Sequence, residues 1–235
     1  MKNTVKILLA TIILTATACT KDYQNGGNTV SVERQIDTNY TQLSIEGAFD
    51  LQLVSNEDYD IKIVCPEKLL QYITTDVVNG QLTISEKSNH VQSNGPRTIY
   101  VNKSVLNVLR NDGSGNVSGR LAFSEFLDIE NNGSGNLDLD ASTEDHIYID
   151  NEGSGNINID GNSSKIIIDI NGSGNVNALY LYTEIGDVTI NGSGNATVNS
   201  SESLMVNING SGNVQYIGNP TLSVNITGSG QVLPL

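Results

Sequence analysis

The sequence predicts an all-β fold: a right-handed parallel β-helix, or β-solenoid, with one short helix in its N-terminal part. Three observations predict it. The tetrapeptide Gly-Ser-Gly-Asn stands at 113–116, 133–136, 153–156, 172–175, 192–195 and 210–213, with Gly-Ser-Gly-Gln at 228–231. Successive starts lie 20, 20, 19, 20, 18 and 18 residues apart, a nearly fixed period that marks stacked repeats burying their apolar faces against one another. On both sides of each tetrapeptide, apolar residues recur at every second position, the period of a strand with one buried face.

The chain opens on a segment outside the fold. Lys2 and Lys6 precede an apolar run from Ile7 to Leu14, then Thr15-Ala16-Thr17-Ala18 and Cys19. The run is too short to span a bilayer and matches a secretory leader. Ala-Thr-Ala before a cysteine resembles the lipobox of bacterial lipoproteins, with Ala16 where leucine is usual. That resemblance implies cleavage before Cys19, lipidation of Cys19, and a membrane-tethered, extracytoplasmic protein, placed at the outer membrane. Residues 1–18 are thus read as a lipoprotein signal peptide and residues 19–39 as a flexible tether. Residues 40–235 form one domain, with irregular capping coils over 40–105 and regular repeats over 106–235.

Within 40–105, Leu43-Ser44-Ile45, Phe49-Asp50-Leu51-Gln52-Leu53 and Ile61-Lys62-Ile63 alternate as half-buried strands do. Pro66 followed by Leu69, Leu70 and Ile73 spells a short helix. Asn79-Gly80 signals a tight turn before a strand at 81–85, and 88–97 reads as an exposed loop. A solenoid needs its strand edges covered at each end, and this segment is the expected cap. At the other end only Pro234 blunts the edge, which leaves self-association into a homo-oligomer open.

In the repeats, Leu109, Ile129, Ile149, Ile168, Val188, Val206 and Val224 stand four residues before the first glycine. Val117, Leu137, Ile157, Val176, Ala196, Val214 and Val232 follow the tetrapeptide. Each repeat reads as strand, corner, strand and a second variable turn, at 142–145, 161–164 and 200–203 for example. Parallel stacking about 4.8 Å apart makes each apolar column a continuous seam. The corners are assigned a structural role: Gly113, Gly115 and Asn116; Gly133, Gly135 and Asn136; Gly153, Gly155 and Asn156; Gly172, Gly174 and Asn175; Gly192, Gly194 and Asn195; Gly210, Gly212 and Asn213; Gly228 and Gly230. Glycine is expected there to supply positive φ. Stacked amides are expected to bond along the column as Asn ladders do, and Asn111, Asn131 and Asn151 form a second, inward column.

Calcium is a poor match to these turns. The calcium-binding β-roll repeats every nine residues and carries a carboxylate where this chain has Asn or Gln. No corner precedes a Gly-Lys-Ser/Thr phosphate loop, so no metal and no cofactor are predicted. The net charge of −14, or −16 without Lys2 and Lys6, argues against nucleic acid and against adsorption on anionic lipid. No Trp and only three Phe give thin support for sugar-stacking platforms.

Taken together, Leu43-Ser44-Ile45-Glu46-Gly47-Ala48-Phe49-Asp50-Leu51, Asn79-Gly80-Gln81-Leu82-Thr83-Ile84 and the repeated Gly-Ser-Gly-Asn resemble the head GIN domain of auto-transporter adhesins, common in Bacteroidetes lipoproteins. The resemblance runs from about Tyr40 to the C-terminus and implies a β-helical fold with a cell-surface role. It carries over no catalytic or binding residues.

An enzyme is not expected. His90 and His146 are isolated in sequence, and Arg120 and Lys165 are the only cations from 113 onward. Asp138, Asp140, Asp150, Asp160 and Asp169 alternate with apolar residues and read as a solvated face. Cys65, at a strand end before Pro66, reads as a buried, inert thiol. The predicted function is a cell-envelope lipoprotein presenting a β-helical surface for adhesion to a glycan or protein ligand. The alternatives are a scaffold acting by self-association and, less favoured, a carbohydrate-active enzyme.

Overall fold

The computed structural model describes residues 28–87 and 95–235. The leader, Cys19, the first part of the tether and most of the 88–97 loop lie outside the described residues. The chain enters through β1 (Thr29–Arg34), β2 (Gln42–Glu46), β3 (Asp50–Val54) and β4 (Ile61–Pro66). The helix α1 (Glu67–Leu70), β5 (Ile73–Val78), β6 (Gln81–Glu86) and β7 (Thr98–Asn102) follow. Strand β1 lies where a tether was expected. Val30 and Val32 alternate with polar neighbours, and the strand pairs antiparallel with β4, Val30 opposite Cys65.

The regular coils then run through β8 (Val108–Asn111), β9 (Val117–Arg120), β10 (Leu127–Asn131), β11 (Leu137–Ser142), β12 (His146–Asn151), β13 (Ile157–Ile170), β14 (Val176–Ile190), β15 (Ala196–Ile208), β16 (Val214–Ile217), β17 (Thr221–Ile226) and β18 (Val232–Pro234). Every neighbouring pair among them is parallel. The fold is a β-solenoid with two parallel columns of strands. One column holds the strand before each glycine corner: β8, β10, β12, the second halves of β13 to β15, and β17. The other holds the strand after it: β9, β11, the first halves of β13 to β15, β16 and β18. Leu109, Ile129, Ile149, Ile168, Val188 and Val206 stack with no solvent exposure, so the seam is dry from coil to coil.

Stacking order departs from chain order at the N-terminal end. Strand β2 lies between β6 and β8, and β3 between β7 and β9, all parallel. The coil made by β2 and β3 is therefore second in the stack, and the chain returns over it after building the outer coil from β6 and β7. Its corner, Glu46-Gly47-Ala48-Phe49-Asp50, is a degenerate copy of Gly-Ser-Gly-Asn, for Gly113 rests on Gly47 and Gly115 on Phe49. Beyond it, Cys65 of β4, Leu69 of α1 and Ile73 of β5 are buried over the end of the interior. The β5–β6 hairpin turns at Asn79 (φ 52°) and Gly80 (φ 79°), the left-handed pair that a two-residue I′ turn requires.

Two expectations about the corners are corrected. Among the corner glycines only Gly228 (φ 143°) has the positive φ assigned to all of them. The requirement is space instead. A Cβ on Gly133 would sit 1.7 Å from the carbonyl oxygen of Gly113, and one on Gly135 1.8 Å from that of Gly115. The second turn is the other correction. Between residues 157 and 208 it is a bend inside one continuous strand, since β13, β14 and β15 run through 161–164, 179–182 and 200–203, whereas β11 and β12 and again β16 and β17 are separated by a turn. The change of direction is absorbed by register shifts between Asn158 and Gly161 and between Ala178 and Tyr182.

Candidate functional site

The glycine corners form one edge of the solenoid. Within each of the six Gly-Ser-Gly-Asn corners, the first glycine is half-buried, the serine exposed, the second glycine buried and the asparagine largely exposed. The Ser134 amide donates to the Gly113 carbonyl (3.2 Å), Ser173 to Gly153 (3.2 Å), Ser193 to Gly172 (3.3 Å), Ser211 to Gly192 (3.2 Å) and Ser229 to Gly210 (3.1 Å). Backbone at the corner thus stays paired where it leaves the sheets, and a side chain on either glycine would block that approach.

The asparagines form an exposed ladder. Oδ1 of Asn116 accepts both the backbone amide (3.0 Å) and Nδ2 (3.2 Å) of Asn136. The pattern repeats through Asn156, Asn175, Asn195 and Asn213, and ends with the Gln231 amide on Asn213. It begins on Asp50 Oδ1, which accepts both groups of Asn116. A second ladder is fully buried: Asn111 Nδ2 donates to Asn131 Oδ1 (3.0 Å) and Asn131 Nδ2 to Asn151 Oδ1 (3.3 Å). Each of these amides also caps a carbonyl of its own corner, Gly115, Gly135 or Gly155.

Beside the ladder runs an open groove of about 810 Å³. Its floor is the glycine backbone of Gly47, Gly113, Gly133 and Gly153, and its wall carries the exposed hydroxyls of Ser114, Ser134 and Ser154. Glu46, Asp112 and Asn132 line it as well, and at the capped end Arg97 pairs with the nearly buried Glu86 carboxylate at 3.4 Å. Hydroxyls, carboxylates and a guanidinium over bare backbone suit an extended polar ligand. They supply no nucleophile activated by a base.

The titratable groups elsewhere are arranged electrostatically. Arg110, Glu130, Asp150 and Asp169 stack in one column, and Arg110 holds Glu130 through two bonds of 2.7 and 2.9 Å. That hydrogen bond keeps Glu130 below the ordinary carboxylate range. Burial, then the carboxylates of Glu152, Asp169 and Glu130, push Asp150 above it. His146 is not isolated. It stacks on Phe126 and places Nε2 3.3 Å from Asp128 and Nδ1 2.9 Å from Asp145. The solenoid period brings Phe126 beside His146, a signal readable as a spacing of 20. Asp138 and Asp160 are exposed and Asp140 is half-buried, paired with Arg120. Among the described residues no group of three or more His, Cys, Asp or Glu could hold a metal ion. Cys65 is fully buried, which pushes its thiol upward and keeps it protonated. Sequence reasoning missed Tyr180 and Tyr182, both 60% exposed, which the register shift in β14 turns outward.

Residues 39–220 match the family described as "Putative auto-transporter adhesin, head GIN domain". The chain belongs to this family. Solved structures similar to this chain include a "putative adhesin" from Bacteroides fragilis, 23% identical, with a TM-score of 0.84 over 91% of this chain and all of that one. A second "putative adhesin", from Parabacteroides distasonis, is 23% identical with a TM-score of 0.63 over 90% of this chain and 98% of its own. A "putative lipid binding protein" from the same species is 22% identical, with a TM-score of 0.61 over 88% and 96%. At these identities the likeness is one of fold. No curated protein matches this head GIN chain. Among its described residues no helix is long and apolar enough to cross a membrane.

Proposed function

We propose that this head GIN protein is a lipid-anchored, non-catalytic adhesion protein of the cell envelope. It binds an extended polar ligand, a glycan or a protein segment, along the glycine corners. The observation that carries this reading is the groove, where a floor without side chains leaves serine hydroxyls and backbone open at one coil spacing. The family's adhesin description supports it. Tethering through Cys19 would place the solenoid outside the inner membrane, on the outer membrane, held by lipid as its membrane partner.

The test is a glycan and protein array probed with the soluble form that begins at residue 20. A hit should weaken about tenfold or more in Ser134→Trp, whose exposed side chain fills the groove at no cost to the core. Silence on every array, or a hit that Ser134→Trp leaves unchanged, would remove the groove from consideration. Anchoring is checked separately by feeding cells a labelled fatty acid. Label should enter the intact chain and be lost in Cys19→Ala.

A further inference from the structure

The two ends of the solenoid are built differently. At the N-terminal end, β1, β4, α1 and β5 close the interior, and the outermost elements carry charges: Glu33 and Arg34 on β1, Glu67 and Lys68 on α1, Asp76 on β5. Charges on edge strands are the usual device against unwanted pairing. At the C-terminal end nothing among the described residues covers the last coil.

Strand β17 pairs with β15 in register, Leu222 on Leu204, Val224 on Val206 and Ile226 on Ile208. The three residues beneath are 0–1% exposed, whereas Leu222, Val224 and Ile226 are 42%, 44% and 40% exposed. The same interior column is thus dry in each coil below and wet in the last. Leu233 and Leu235 add to the apolar rim. Among the described residues β17 pairs with β15 and β18 with β16, and no strand lies along their outer backbone edges.

Charge sharpens the contrast. The chain carries a net −14, yet no Asp, Glu, Lys, Arg or His follows Glu202. Over the rest of the molecule carboxylates outnumber cations, so two copies meet a net excess of like charge, whereas the side chains of this end carry none. Every coil in the stack already receives a next coil on this same surface through parallel strands, so the last coil presents the same apolar column and backbone edge with nothing among the described residues upon them.

We propose that the uncharged last coil, residues 221–234, is a homodimer interface at which a second copy docks open end to open end. The two copies are related by a two-fold axis, so that their edge strands pair antiparallel and Leu222, Val224 and Ile226 of each become interior. The charged, closed opposite end stops the assembly at two, because head-to-tail growth would need an open coil there. This inference stands apart from the adhesion reading: the groove and the last coil involve different residues.

Sedimentation equilibrium of the full chain tests it. Twice the monomer mass is expected. The double variant Leu222→Lys/Val224→Lys, which puts charge into the joint, should weaken the dimer by about a hundredfold or more, with an unchanged β-sheet circular dichroism spectrum. Asn225→Lys, on the solvent side of the same strand, gives the same reading with the apolar face intact, should the double variant not fold. A monomer at every concentration overturns the proposal, as does a dimer that withstands both variants. So does a monomer that floats with phosphatidylcholine vesicles and loses that property in the variants, since the end would then face lipid.

Discussion

Two glycines in this molecule are required for opposite reasons, and substitution separates them. Gly80 sits at φ 79° with open space where a Cβ would go, so alanine there incurs only the left-handed backbone strain, about 1 kcal/mol. Gly133 lacks positive φ, but its Cβ would overlap the Gly113 carbonyl oxygen, and the two coils would have to separate. Gly133→Ala should therefore cost about 3 kcal/mol or more. Urea denaturation of both variants checks the order. Equal losses would mean that conformational freedom, not space, selects glycine at the corners.

Among the elements, the buried asparagine column shows how one ladder depends on its members jointly. Asn131 accepts from Asn111 and donates to Asn151 and to the Gly135 carbonyl. Asn131→Ile alone leaves the Asn111 amide and the Asn151 carbonyl short of partners in a dry interior, a loss of about 2–4 kcal/mol. Farther along, the same column holds Ile170, Ile190 and Ile208, all buried, so the site accepts isoleucine by shape. The triple change Asn111→Ile/Asn131→Ile/Asn151→Ile should lie within about 1 kcal/mol of the parent. Urea midpoints of the single and triple variants decide it, and additive losses would refute the coupling.

Across the whole molecule, the excess of carboxylates makes stability depend on pH in two opposing ways. Glu130, with a depressed folded-state pKa, contributes stability present above its unfolded pKa and lost as pH falls through the folded value. Asp150 has a raised folded-state pKa, so it opposes folding once pH rises through the window between its ordinary and raised values. Asp150→Asn should thus raise the melting temperature at pH 7 by a few degrees at most. The gain should vanish below the ordinary aspartate range. Scanning calorimetry at several pH values checks the sign, and a gain that persists in acid would point to packing instead of charge.

The period of 18 to 20, the alternation of apolar residues and the composition of the corners determined the β-solenoid, its interior seams and its asparagine columns, because each is a local pattern repeated in register. The corners were legible as turns, but the reason for their glycines was not, since a clash with the coil below exists only once coils stack. Likewise, the pairing of His146 with Asp128 and the outward tyrosines of β14 depend on register between coils. Only the tertiary structure decided that the coil of β2 and β3 sits inside that of β6 and β7. A return over an earlier coil is long-range pairing, and Leu43 and Leu82 look alike from the sequence until the strands that flank them are known.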